Sequence, residues 1–330
     1  MQYILWIILA ILLLMVIGYF FVGWATPAKH ITWGVNFSEA GAEYLELDPQ
    51  ETYFAIIDDL GAKHIKLAVD WSAIETADED YDFSSTDWYV KTAEAKGAKL
   101  ILAIGMKTPR WPECHIPQWG LGLSEKEQQQ QILEMLNKVV NRYKDSPALE
   151  SWQVENEPLL NFGSCPWMDK DFLKQEIAYV KSLDSSHPII VTDSGELSTW
   201  TRVGDVGADI VGVTTYRTIW QPALKSYFTY FFFPAVFYHR RAEIINWFYH
   251  VPVIGSELQA EPWCAQSVMN TSIAEQTKSM NTKRLADNVK FARATGFDTF
   301  YFWGGEWWYW MKTVHNDPSM WNAAKKVIGE

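Results

Sequence analysis

The sequence predicts a (β/α)8 barrel behind a single N-terminal membrane-spanning helix. Three observations lead there. Eight short apolar, β-branched runs alternate with longer segments of helical periodicity, more often than an open doubly wound sheet would need. No charged side chain precedes Lys29, and Ile4 to Val22 reads ILWIILAILLLMVIGYFFV. No glycine-rich, phosphate-cradling loop follows the first run, and no linker rich in Pro, Gly or Ser divides the chain.

At about 1.5 Å per residue the apolar leader crosses a hydrocarbon core of roughly 30 Å. Residues 1–28 therefore read as an anchor or uncleaved signal, and 29–330 as one folded domain. The Met-Gln-Tyr start lacks the basic residues of a cleaved signal peptide, and the apolar run exceeds the usual signal length. Cleavage after Gly23-Trp24-Ala25 is the competing reading. Neither flank is rich in positive charge, so charge does not orient the span.

The strand runs are Ile31 to Phe37, His64 to Asp70, Ala98 to Gly105, Ala148 to Glu155, Pro188 to Asp193, Ala208 to Thr214, His250 to Gly255, and Phe297 to Trp303. Between them the helices show their ends. Ser124 and Glu127 form a capping-box pattern ahead of Ile132, Leu133, Leu136, Val139 and Val140. Gly61, Gly97 and Gly296 stand where a left-handed cap residue closes a helix.

A composition of 48% hydrophobic and 21% charged residues supports a large core. The net charge of −12 argues against a nucleic-acid groove, which gathers Lys and Arg. The three cysteines allow one disulfide and leave one thiol; Cys114 and Cys165, in adjacent loops, are the expected bridge in an oxidising compartment. Cys114-His115 lacks the paired spacing of a zinc site.

In such a barrel, chemistry sits on the loops that follow the strands. The fourth strand runs into Glu155-Asn156-Glu157-Pro158, and the seventh into Ser256-Glu257. Two carboxyl groups facing each other across a barrel mouth are what retaining glycoside hydrolysis requires, one protonated to donate and one ionised to attack. Solvated loop acids are the competing reading, and the Asn-Glu-Pro context on these two strands weighs against it.

Asn156-Glu157-Pro158 with Glu257 resembles clan A of the glycoside hydrolases, the retaining (β/α)8 enzymes that include cellulases, mannanases, xylanases and β-galactosidases. The resemblance runs from about Ile31 to Glu330. It implies Glu157 as general acid/base, Glu257 as nucleophile and Asn156 as a partner of the sugar 2-hydroxyl. It further implies Tyr216 as the group orienting the nucleophile, Lys66 in the place of a strand-two arginine, and Trp303 as an aromatic platform under the reacting sugar. The activity implied is hydrolysis of β-linked oligo- or polysaccharides without metal or organic cofactor, by an extracytoplasmic domain held at the membrane through residues 4–22. A transglycosidase, or a glycan-binding protein on an inactive barrel, are the alternatives. Glu155 and Glu261 are rival acids, expected to be structural or to touch substrate; Asp70 reads equally as substrate contact or polar strand end.

Sixteen of the 18 tryptophans lie beyond the leader. Ten of them, Trp71, Trp111, Trp119, Trp167, Trp220, Trp263, Trp303, Trp307, Trp308 and Trp310, follow strands, a bias expected of a cleft that packs indoles on sugar faces. Trp71, Trp263 and Glu306 are accordingly candidate substrate contacts, with about half the ten tryptophans expected to be loop packing. The aromatic segment from Tyr227 to Arg241 reads either as a buried helix of the barrel ring or as an interfacial patch that lays the domain against lipid, near a membrane-proximal glycan.

Overall fold

A computed structural model describes residues 2–330. Its core is a closed barrel of eight parallel strands: β1 (Thr32–Phe37), β2 (His64–Ala68), β3 (Lys99–Ile104), β4 (Leu149–Val154), β5 (Ile189–Asp193), β6 (Ile210–Thr215), β7 (Val253–Gln259) and β8 (Thr299–Trp303). Each strand pairs with the next in sequence, and β1 closes on β8 with Thr32 opposite Thr299. The barrel interior packs Ile101, Ile190 and Ile254, the inward residues of the alternate strands β3, β5 and β7, against Tyr301 of β8.

Local chemistry explains the helices between the strands. Ser124 and Glu127 form both bonds of the capping box at the head of Glu125–Tyr143, a helix that turns Ile132, Met135, Leu136, Val139 and Val140 onto the barrel wall. Gly97 ends Ser84–Lys96 with φ of 64°, a left-handed conformation that glycine takes without steric cost. Two short hairpins rise from the rim: Glu75–Ala77 with Asp80–Tyr81 after β2, and Thr218–Gln221 with Ser226–Thr229 after β6.

The seventh strand departs from expectation. It spans Val253–Gln259 instead of ending at Gly255, because Ser256 is an extra residue in the ladder: Gly255 pairs with Val213, but Glu257 with Thr214. Such a bulge bends the strand and re-aims the next side chain. Glu257 therefore projects from within a strand instead of from the loop behind it.

The leader forms one helix, Gln2–Phe21, long and apolar enough to cross a membrane and with none of its residues buried. Its last turn packs on the helix Ala235–Tyr249, where Phe21 stacks on Phe237 at 5.1 Å. The aromatic segment splits accordingly. Tyr238 and Arg241 are buried in the barrel ring, whereas Phe231, at 78% exposure, stands in the loop before the helix.

Candidate active site

The end of β4 is held by buried polar bonds. Glu155 accepts from the Met106 and Lys107 amides at 2.6 and 2.7 Å, tying the end of β4 to that of β3. A Cβ on Gly105 would lie 2.2 Å from the Glu155 carboxylate, so only glycine admits this clamp. Glu155 is thus a structural acid. The next residue, Asn156, accepts from Gln153 and Thr192 through Oδ1 and donates through Nδ2 to Glu113 at 3.3 Å. The Glu157 amide donates to Thr192 Oγ1 at 2.8 Å, its carbonyl accepts from Lys107 Nζ at 2.9 Å, and its Oε1 accepts from Thr214 Oγ1 at 3.0 Å.

Four non-glycine residues around this point have positive φ: Arg110 (100°), Glu113 (72°), Glu155 (60°) and Glu157 (44°). Conformations of this kind cost about 1–3 kcal/mol each and persist where surrounding bonds over-determine them. The buried network just described supplies those bonds for the three glutamates.

Opposite, Glu257 is gripped from two sides. Lys66 Nζ donates to Oε1 at 3.1 Å and Tyr216 OH donates to Oε2 at 2.7 Å. Both Glu157 and Glu257 line a cleft of about 510 Å³ at the C-terminal face of the barrel, together with Glu113, Asn156, Tyr216, Trp263 and Trp303. Their environments differ. Burial, then the charges of Glu257 and Glu113, push the Glu157 carboxyl up to about 8. Burial likewise pushes Glu113 up to about 8 against the opposing pull of Lys107. The Tyr216 hydroxyl is raised well above its ordinary range by burial and by the adjacent Glu257, so it remains a donor.

One cleft wall is built around Arg110. Its guanidinium bonds Glu261 through both terminal nitrogens, at 2.6 and 3.0 Å, reaches Glu306 at 3.1 Å, and lies 4.3 Å from the centre of the Trp303 ring. Trp303 donates its indole N–H to Glu261 at 2.9 Å. Trp263 stands edge-on to Tyr216 with ring centres 5.0 Å apart. The disulfide Cys114–Cys165 joins the loops after β3 and β4 directly beside Glu113.

Glu157, Glu257, Asn156, Tyr216, Trp263 and Trp303 thus share one cleft, and three further candidates lie elsewhere. Trp71 is wholly buried, donating its N–H to Glu75 at 2.7 Å and packing edge-on against Trp119; no surface remains for a sugar. Glu306 is 1% exposed and spends its oxygens on the Ser38 amide and Arg110, because it opens a helix that folds beneath the rim. Lys66 sits below Glu257 without reaching the cleft surface. Asp70 accepts from Thr108 at 2.5 Å and also lies outside the cleft. Of the ten post-strand tryptophans, only Trp111, Trp263 and Trp303 line it; Trp307, Trp308 and Trp310 are buried on the helix Gly305–Thr313.

Sequence reasoning passed over Glu113, Arg110 and Lys107. Glu113 carried one signal, its place next to Cys114 in the loop after a barrel strand. Among the described residues no group of three or more His, Cys, Asp or Glu side chains is arranged to hold a metal ion.

Comparison with known proteins gives this cleft a context. Mannan endo-1,4-beta-mannosidase A of Podospora anserina is 30% identical over 143 residues, covering 39% of this chain and 33% of that protein. The chain spans about a third of the length of the curated relatives it matches. Among solved structures, a beta-galactosidase from the psychrophilic Marinomonas ef1 superposes with a TM-score of 0.59 at 11% identity, over 91% of this chain and 59% of that one. A glycoside hydrolase family 5 mannosidase from Rhizomucor miehei gives 0.56 at 12% identity, over 86 and 82%. These two likenesses show the shared barrel. The family model described as Cellulase (glycosyl hydrolase family 5) matches residues 26–228, from ahead of β1 through β6 and including Asn156-Glu157-Pro158, and the chain belongs to that clan A glycoside hydrolase family.

Proposed function

We propose that the protein is a retaining β-glycoside hydrolase whose domain, residues 29–330, is held outside the cytoplasm by the span in residues 1–28. The observation that carries this reading is the unequal pair on the cleft floor: Glu157, kept protonated near neutrality, and Glu257, held by a lysine and a tyrosine hydroxyl. Protonated Glu157 donates to the leaving glycosidic oxygen while Glu257 attacks the anomeric carbon, forming a glycosyl-enzyme ester. Glu157, now a carboxylate, then removes a proton from water, which displaces Glu257 and restores the starting state. The expected separation of the two carboxyls in this mechanism is roughly 5–5.5 Å.

Asn156 has one amide hydrogen on Glu113 and a second for the sugar 2-hydroxyl, while Trp303 and Trp263 offer apolar faces to the ring C–H groups. The Cys114–Cys165 bridge suits an oxidising compartment. The names of the curated relatives favour β-1,4-mannan as substrate.

The test is hydrolysis of β-mannan, xylan and soluble cellulose by the full chain in detergent, with Glu257→Gln as control and the anomer released first followed by NMR. Release of the β-anomer from mannan, abolished in the control, is expected. Equal activity in the control overturns the nucleophile assignment; an α-anomer overturns retention; no hydrolysis of any glycan overturns the enzyme reading.

A further inference from the structure

The leader helix docks on the domain in a definite sense. Phe20 and Phe21 pack on Phe237, whereas Tyr19 lies 5.0 Å beneath the Arg240 guanidinium and its hydroxyl is 3.5 Å from Glu243. The leader thus meets the first half of Ala235–Tyr249, and Tyr19 reaches Glu243, one helical turn before Trp247. Residues 2–17 are all exposed, and the contact leaves the far end of Ala235–Tyr249 uncovered.

At that end stand Trp247 and Phe248, 74 and 62% exposed, with ring centres 4.7 Å apart. Two large aromatic side chains displayed together on a surface call for a partner. The helix stops at His250 and the chain enters β7 at Val253, so this pair marks the N-terminal face of the barrel, opposite the cleft.

We infer that Trp247 and Phe248 insert into the lipid–water interface beside the span, so that the barrel rests on the bilayer by its N-terminal face and opens its cleft away from the membrane. The inference rests on the reading of the leader as a membrane anchor and is independent of the hydrolytic one. The bilayer is the occupant that the geometry favours, since the end of the span docks on the same helix, at Glu243, one turn before the pair. Indole and phenyl rings partition to the headgroup level, and Tyr19, Arg240 and Glu243 form the polar cluster expected where the span meets water. A substrate reaching this cleft comes from the aqueous side, as a soluble or wall-bound polymer does.

The experiment uses the full chain in phosphatidylcholine–phosphatidylglycerol liposomes, with Cys264→Ser as background. A polarity-sensitive NBD probe is placed by Trp247→Cys, by Phe248→Cys or, at the exposed cleft rim, by Leu197→Cys, and nitroxide-labelled lipids serve as quencher. A blue shift and loss of emission at 247 and 248, with neither at 197, is the expected result. Quenching at 197 turns the cleft toward the bilayer and overturns the inference. Quenching at none of the three, in protein that resists alkaline carbonate, shows a domain standing clear of the membrane and overturns it while the anchor survives. Release of the full chain by carbonate overturns the anchor and this inference together, leaving the hydrolytic reading untouched.

Discussion

Lys66 Nζ donates to Glu257 Oε1 over 3.1 Å, with the two side chains only 1 and 5% exposed. A buried pair of this kind is expensive to break, because the partner left behind is a charge without water. Replacing Lys66 with Met should destabilise the domain by about 3–5 kcal/mol and lower kcat, because the attacking carboxylate loses the group that holds it. Lys66→Arg keeps the charge and should restore kcat in large part. Thermal unfolding and steady-state kinetics of the two variants check this; an unchanged kcat in the Met variant would separate Lys66 from the nucleophile.

Glu157 gives a pH signature. Its carboxyl is raised in the folded state to about 8 from an ordinary 4.5, so the acid form needed for leaving-group protonation is lost as pH climbs through about 8. The basic limb of kcat/KM should fall there. The same shift has a stability consequence: the native state holds a proton that the unfolded state releases above pH 4.5, so this group's contribution is complete below 4.5 and is lost as pH rises toward 8. Glu157→Gln should raise Tm relative to wild type at pH 8, and the gain should vanish at pH 4.5. A gain independent of pH would sink the assignment.

Glu113 is the third acid of the cleft, and its charge is among the causes that hold Glu157 up. Glu113→Gln removes that charge while preserving an acceptor for Asn156 Nδ2. The basic limb of kcat/KM should shift to lower pH, by less than one unit, since Glu113 is itself largely protonated at neutrality with a value of about 8. A pH–rate profile on an aryl β-glycoside reads the shift directly; an unmoved limb would show that Glu113 does not act on Glu157.

How much of this was legible follows from where each residue sits. The eight strands were readable because buried parallel strands are near-continuous apolar runs, and Asn156-Glu157-Pro158 because Pro158 marks the strand's end. The extra residue at Ser256 was not, since one inserted residue leaves an apolar run looking the same. Glu113 and Arg110 were missed because their partners, Asn156, Glu261 and Glu306, are 43 to 196 residues away in sequence. Tryptophan density misled most: Trp307, Trp308 and Trp310 follow a strand, yet they sit on a helix whose sides are packed all round. Position after a strand says which end of the barrel a residue occupies, and says nothing of whether it faces the cleft or the wall.

The disulfide fixes the loop that bears Glu113. Cys114 and Cys165 close a segment of 51 residues, for which loop-closure entropy gives about 4 kcal/mol. The Cys114→Ser, Cys165→Ser double variant should therefore lose about 2–5 kcal/mol of stability and show a raised KM, because Glu113 and the Asn156 amide it holds gain freedom. Unfolding and steady-state kinetics measured with and without reductant check both effects. If reduction leaves KM unchanged, the bridge stabilises the domain without shaping the cleft.

Arg110 draws together two acids and the indole of Trp303. Its planar fork meets Glu261 through two nitrogens, and Glu261 in turn accepts from the Trp303 N–H, so the ring is held on one face by a cation and at its edge by a carboxylate. Lysine supplies the charge without the fork or the flat face. Arg110→Lys should thus keep most of the fold's stability yet raise KM for oligosaccharides several-fold, by freeing the Trp303 ring. Arg110→Met should be worse in kind, leaving buried Glu261 and Glu306 without a cation and lowering stability by about 3–5 kcal/mol. Comparing KM and Tm across the two variants separates the roles: a normal KM in Arg110→Lys would mean that charge alone shapes this wall, and a normal Tm in Arg110→Met that the two acids find other partners.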